Sequence, residues 1–378
     1  MKTIDSLLNQ LQEIADHPGE AVRLLRKESG KKLVGFAPYY APEEIAYAAG
    51  MMPVGVWGGK VNYSAASHYL PGFACPLMKS LLELAIKGAY DGLAAMIFPG
   101  QCENNKLTGQ NFKVARRNIP FIPLIHPQNR KSEEGVEYLT REYGRIAAQL
   151  EAIAGAKITI GALNQSIDVY NDYRRTMRRF CELAPRYGST IRPRIRHSVI
   201  KSAYFMDKAT HTELVGKLNA LLEVRPEEPT VGKRVVITGI LSEPVELMEL
   251  FEELQIQVVA DDLAQGSRHF RVDVPDGRDP LERLARMWAL LEGCSLVFDP
   301  EKRRGQILKA LVQRHQADGV VVLMTQFCDP EELDYPIYKK ELEAEGIPLL
   351  FLEVEPHMQM EQARTRLESF AEMLQRRQ

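Results

Sequence analysis

Three cysteines stand where thiolate chemistry would need them. Cys75 lies in Gly72-Phe73-Ala74-Cys75-Pro76, Cys102 in Phe98-Pro99-Gly100-Gln101-Cys102-Glu103, and Cys328 in Met324-Thr325-Gln326-Phe327-Cys328-Asp329-Pro330. Cys102 and Cys328 each follow an apolar run that reads as a buried parallel strand, and each precedes a polar turn. All three border an element end, beside Pro, Gly or a polar residue. In open α/β sheets ligands collect at the carboxyl ends of the strands. Thiolates delivered there from different strands can converge on one iron–sulfur cluster, or, with a fourth ligand, on zinc. The bland alternative is packing, since a free cysteine often behaves as a small buried hydrophobe. No Cys-x-x-Cys pair is present. Cys181, at a core-like position on a helix, and Cys294, ahead of Leu296-Val297-Phe298, are read as packing residues, the latter against a strand edge.

The elements that must position these thiols alternate between strand and helix. Residues 1–30 read as one helix ending at Gly30. Strands are expected at 31–37, 52–57, 94–98 and 119–125, with helices opening at Pro42 and Pro76. Proline in a first turn and acids behind it mark helix starts. From Ser132 to about Val224 the apolar spacing turns helical, with breaks around Pro185, Gly188 and Pro193. Residues 225–230 read as a linker. A second α/β unit follows, with strands at 234–241, 256–260, 319–325 and 347–353, and helices at 243–254, 303–315, 331–345 and 357–376. Strands alternating with helices imply right-handed crossovers and mostly parallel sheets. The expectation is therefore α/β: two mostly parallel-sheet, Rossmann/flavodoxin-like domains plus a helical region. The first, residues 1–131, carries Cys75 and Cys102. Residues 132–230 are the helical region and linker. The second, residues 231–378, carries Cys328.

Composition excludes several classes. Lys+Arg 48 against Asp+Glu 50 gives no general electrostatic support for nucleic-acid binding. No apolar run approaches the ~20 residues of a membrane span. The charged start lacks a signal-peptide core, so a soluble, cytoplasmic chain is expected. Five widely spaced cysteines in such a chain argue against a disulfide framework. There is no G-x-G-x-x-G, Walker A or HExxH-type motif, so direct ATP, dinucleotide or histidine-held metal binding is unsupported. Glu43 and Glu44 read as first-turn acids, and Asp261 and Asp262 as turn caps. Arg268 reads either as a surface turn or as a polar contact near the thiols or a subunit interface.

The flanks of the cysteines add a resemblance. Val34-Gly35-Phe36-Ala37-Pro38-Tyr39-Tyr40-Ala41-Pro42-Glu43-Glu44, followed by Ala48-Ala49-Gly50-Met51-Met52-Pro53-Val54-Gly55-Val56-Trp57-Gly58, resembles the opening of the 2-hydroxyacyl-CoA dehydratase family. So do Gln110-Asn111-Phe112-Lys113, Tyr170-Asn171 and Ala260-Asp261-Asp262 with Ser267-Arg268. The most specific stretch is Gln326-Phe327-Cys328-Asp329-Pro330-Glu331-Glu332 with Asp334-Tyr335-Pro336. The likeness runs from about residue 20 to the end and keeps the order and spacing of the three cysteines. Length and wording resemble the family's β subunits. Benzoyl-CoA reductases and double-cubane cluster proteins are more distant members of the same superfamily, and a reductase of that kind is the alternative expectation. Two departures stand out. Phe36 and Leu263 occupy places where some members have cysteines, and Glu103-Asn104-Asn105-Lys106 differs from the usual wording after the second cysteine.

The resemblance implies an activity and its parts. Family members convert (R)-2-hydroxyacyl-CoA to (E)-2-enoyl-CoA as heterodimers of this subunit with a homologous α subunit. Each subunit holds a [4Fe–4S] cluster on three cysteines, which fall here on Cys75, Cys102 and Cys328. A separate iron–sulfur ATPase, the activator, supplies one low-potential electron, and acyl-CoA binds mainly at the α subunit. The chemistry explains the electron. The β-proton of the substrate is not acidic, but one-electron reduction of the thioester lets the hydroxyl leave and acidifies that proton. The implied role of this chain is electron relay, with helix-start amides at Pro76 and Glu331 tuning the cluster. A zinc-held α/β scaffold without redox function is the reading from a different class.

Overall fold

The computed structural model describes residues 3–37, 39–230 and 232–376. Met1 and Lys2, where the N-terminal helix was expected to begin, lie outside the described residues, as do Pro38 and Val231. Helices α1 (Ile4–Asp16) and α2 (Pro18–Ser29) precede β1 (Leu33–Phe36), α3 (Glu43–Ala48) and β2 (Met52–Gly55). Then come α4 (Pro76–Ile86), β3 (Leu93–Pro99), α5 (Glu103–Ala115) and β4 (Phe121–Leu124). Four helices follow: α6 (Glu133–Ala154), α7 (Ile160–Leu183), α8 (Pro193–Ser202) and α9 (Lys208–Glu223). The remainder is β5 (Lys233–Gly239), α10 (Val245–Glu253), β6 (Ile256–Leu263), α11 (Pro280–Leu290), α12 (Arg304–Arg314), β7 (Gly319–Thr325), α13 (Asp329–Ala344), β8 (Leu349–Val354) and α14 (Met360–Gln375).

The strands form two four-stranded sheets, ordered β2-β1-β3-β4 and β6-β5-β7-β8. Every pairing is parallel. The expected α/β class with two parallel sheets and a helical region is what the chain adopts. Both sheets repeat one winding order, first strand flanked by second and third, and the crevice of such a sheet opens where the order reverses. That point falls between β1 and β3 in one sheet and between β5 and β7 in the other. The central strands β3 and β7 are apolar runs buried on both faces, as parallel strands between helical layers must be.

Several boundaries differ from expectation. The first 30 residues make two helices, because Pro18 starts a new one at N1; Gly30, at φ 64, then caps α2 in the left-handed region. Asp261 and Asp262 lie inside β6, not beyond it. The stretch after Cys102 is the first turn of α5, not a free turn. Its Glu-Asn-Asn wording suits a helix start as well as a loop. Helix α11 was not anticipated; it packs against α6. Trp288, Cys294 and Leu296 join the hydrophobic core of the first sheet, so part of the chain after β6 reaches back across the molecule. Among the described residues, no helix is long and apolar enough to cross a membrane.

Candidate functional site

The three cysteines share one local design. Each is the N-cap residue of a helix: Cys75 before α4, Cys102 before α5 and Cys328 before α13. None caps its helix in the usual way through a side-chain oxygen, so free amides of the first turn face the sulfur. Two of these helices follow the third strands of their sheets, the side of the crevice. The third, α4, follows the long connection from β2. Cys75 and Cys328 are buried and Cys102 is half-buried.

The thiols sense one another. Burial pushes Cys75 up to about 12; the amides of Met78 and Leu77 pull it back, and the charge of Cys102 adds to the rise. Burial also raises Cys102, against the amides of Asn105 and Asn104. Cys328 is raised by burial and then by Cys75, Glu331 and Cys102, against the Glu331 amide. Tyr39, at the carboxyl end of β1, is the common neighbour. Burial raises its phenol, followed by the charges of Cys102, Cys75 and Cys328 in turn. Thiols so placed are neutral and poor nucleophiles on their own. They become ligands when a metal group displaces their protons.

Local bonds hold the loops together. The Cys75 amide donates to Asn104 Oδ1 at 3.1 Å, tying the first thiol loop to α5. Asn105, fully buried, donates to Pro99 O at 2.6 Å. Gln101 Nε2 donates to Tyr39 O at 3.2 Å. Lys79 donates to Gly72 O, and its ammonium lies 5.7 Å from the Phe327 ring centre, linking the Cys75 loop to the Cys328 loop.

Donor chemistry separates the metal options. Zn–S bonds of about 2.3 Å draw thiolates to within roughly 4 Å of each other. Among the described residues, no three His, Cys, Asp or Glu side chains are gathered tightly enough for a single ion. Three thiols at helix starts, with first-turn amides beside them, are a donor set that an anionic iron–sulfur group could use.

The other residues singled out from the sequence have definite places. Arg268 is no surface turn: its side chain is fully buried and pairs with Asp262 at 2.8 Å and Glu331 at 3.3 Å. Asp261 does cap a turn, accepting from the Ser267 amide at 2.7 Å, and also meets Arg196 at 2.7 Å. Asp262 does not; burial would raise it, but Arg268, Arg271 and Arg304 hold it far below the usual carboxylate range. Glu43 and Glu44 are first-turn acids of α3, as expected, and both are buried. Glu43 meets Lys208 at 3.1 Å and the Tyr170 hydroxyl at 3.1 Å, while Glu44 pairs with Arg174. Cys181 packs on α7 with Arg196 Nη2 at 3.3 Å. Cys294 borders no strand; it lies in the loop between α11 and α12, 3.1 Å from the Tyr40 hydroxyl and 3.4 Å from Arg268 Nη1. The sequence reading missed Tyr39, Asn104 and Arg304. The signal for Asn104 was a cysteine directly before a helix start; nothing local in the sequence marks Tyr39 or Arg304.

Comparison with known proteins bears on what this arrangement is. The family model described as 2-hydroxyglutaryl-CoA dehydratase, D-component, matches residues 38–374. The chain is 42% identical over 375 residues to the (R)-phenyllactyl-CoA dehydratase beta subunit of Clostridium sporogenes, covering 99% of this chain and 100% of the relative. It is 44% identical over 377 residues to lactoyl-CoA dehydratase subunit beta of Anaerotignum propionicum, covering 99% and 100%. It is 37% identical over 378 residues to (R)-2-hydroxyglutaryl-CoA dehydratase, subunit beta, of Acidaminococcus fermentans, covering 98% and 100%. The chain therefore belongs to the 2-hydroxyglutaryl-CoA dehydratase D-component family.

Proposed function

We propose that this chain is the β-type iron–sulfur subunit of a hydro-lyase that removes water from an (R)-2-hydroxyacyl-CoA. Cys75, Cys102 and Cys328 would hold a [4Fe–4S] cluster between two lobes, residues 1–131 and 231–378, joined by the helical residues 132–230. When bound, the cluster supplies a one-electron relay at low potential, from an ATP-dependent activator to a homologous α subunit that carries the acyl-CoA. The chain's own residues do the rest. The amides of Leu77, Met78, Asn104, Asn105 and Glu331 favour the thiolates. The buried Tyr39 ring and the apolar runs behind it keep water off one side.

The observation that carries this reading is that three cysteines at helix N-caps belong to loops tied to one another, the Cys75 amide bonding Asn104 in the first turn after Cys102 and Lys79 lying 5.7 Å from the Phe327 ring beside Cys328. The names of the 37–44% identical relatives support the activity class and a partner subunit. Relay also requires a partner close to the thiols. Two large apolar side chains near them in the chain stay exposed, Phe73 at 72% and Leu333 at 77%.

The test is anaerobic purification of the full chain, with iron and acid-labile sulfide measured per chain. Brown protein with both elements in equal amounts is expected, and Cys328→Ser should lose most of each. A colourless wild-type protein holding zinc would overturn the proposal.

A further inference from the structure

Two buried guanidinium groups lie against the first turn of the helix that Cys328 opens. The side chains of Arg268 and Arg304 are 0% and 2% exposed. Both grip Glu331, in the first turn of α13. Arg304 reaches its carboxylate through Nη2 at 2.7 Å and Nη1 at 2.9 Å, Arg268 through Nη1 at 3.3 Å, and the Ser295 hydroxyl donates at 2.5 Å. From β6, Asp262 takes Arg268 at 2.8 Å and Arg304 at 3.3 Å. Thr238 Oγ1 on β5 accepts from Arg304 at 2.8 Å. The Arg304 guanidinium also lies 4.6 Å from the Tyr338 ring centre.

Stability is a weak reason for building this. Burying several charges costs several kcal/mol per ion, and a well-packed apolar core of equal volume is often at least as stable. The location offers another reason. The clamp closes on the first turn of the helix whose N-cap is Cys328, so its charges are fixed close to that residue. Fixed charges in a dry interior act strongly over several ångströms. The potential of an iron–sulfur cluster follows its electrostatic surroundings and the hydrogen bonds to its sulfurs.

We propose that Arg268, Arg304 and Glu331 tune the cluster: the fixed charges of their clamp set its reduction potential. The inference rests on the cluster assignment made above. Adding an electron makes an anionic cluster more negative, so a buried cation nearby raises its potential and a buried anion lowers it. Removing one sign of charge must therefore shift the potential opposite to removing the other.

The experiment is an EPR-monitored redox titration of the full chain, with iron per chain and urea denaturation measured alongside. Arg268→Met should shift the midpoint to more negative values and Glu331→Gln to more positive values. Arg268→Lys, which keeps the charge, should return most of the Arg268→Met shift. Unmoved midpoints, or shifts of the same sign from both variants, overturn the inference. Should Arg268→Met not fold, the nearly isosteric Glu331→Gln decides alone: a positive shift supports the clamp and none overturns it. A wild-type chain without iron refutes the cluster assignment itself. An iron-replete wild type with unmoved variants refutes only the clamp.

Discussion

Glu83 shows how one carboxylate can secure a thiol loop. It is fully buried on α4. It accepts from the amides of Ala65 at 2.8 Å and Ala66 at 2.7 Å, from the Ser64 hydroxyl at 2.9 Å, and pairs with Lys87 at 3.0 Å. Burial alone would raise its carboxyl, but the Ala66 amide, Lys87, Ser64 and the Ala65 amide together hold it at about 2. An unfolded glutamate titrates near ~4.3. A folded value below the unfolded one means stability is present above pH ~4.3 and is lost as the pH falls toward 2. Urea denaturation across that window should show wild-type stability falling more steeply than that of Glu83→Gln, the remaining slope coming from other depressed carboxyls such as Asp262. Equal slopes would show that Glu83 does not moor residues 64–66. None of this was legible beforehand, because a glutamate inside Leu81-Leu82-Glu83-Leu84 reads as the polar face of a helix.

At the scale of the element, the useful fact is that a sulfur sits where an oxygen would cap a helix better. Serine at an N-cap gains about 1 kcal/mol over a residue with no capping oxygen. Metal-free Cys102→Ser should therefore be at least as stable in urea as the metal-free wild type, and the same variant purified anaerobically should carry less iron than wild type. A variant that loses stability but keeps its iron would return Cys102 to the packing role. The elements themselves were largely readable. Runs such as Val320-Val321-Val322-Leu323 fit only a strand buried on both faces, and Pro76 and Pro330 mark helix starts in the first turn. The exceptions share a cause. Residues 103–115 begin with turn-forming asparagines, and α11 carries charges that mask its buried Leu284, Ala285 and Trp288.

Across the whole molecule, large apolar groups stay exposed close in the chain to the proposed ligand cysteines. Phe73 lies two residues before Cys75, and Leu333 five after Cys328. Substitution of exposed side chains usually moves stability by no more than about 0.5 kcal/mol. Phe73→Asp combined with Leu333→Asp should therefore leave the isolated chain's denaturation curve in place and sharply reduce co-purification of a partner subunit. Undiminished co-purification would place the partner on another face. Contacts across the molecule also brace the site. Arg130 donates to Phe298 O at 3.1 Å and Trp288 O at 2.9 Å, and the Tyr40 and Trp288 rings meet at 5.4 Å.

The amino-acid sequence by itself determined the class of the fold and the ends of the central strands at which Cys102 and Cys328 emerge, because strand burial and helix starts are written in neighbouring residues. Its motif wording also pointed to the family. Only the tertiary structure decided that Tyr39 stands among the thiols. It alone showed that Glu43 and Glu44 are neutralised in the interior by Lys208 and Arg174, and that Arg268 and Arg304 close on Glu331 instead of facing water. Those outcomes depend on partners tens to well over a hundred residues apart. A charged side chain looks the same in a sequence whether solvent or a buried counter-charge awaits it.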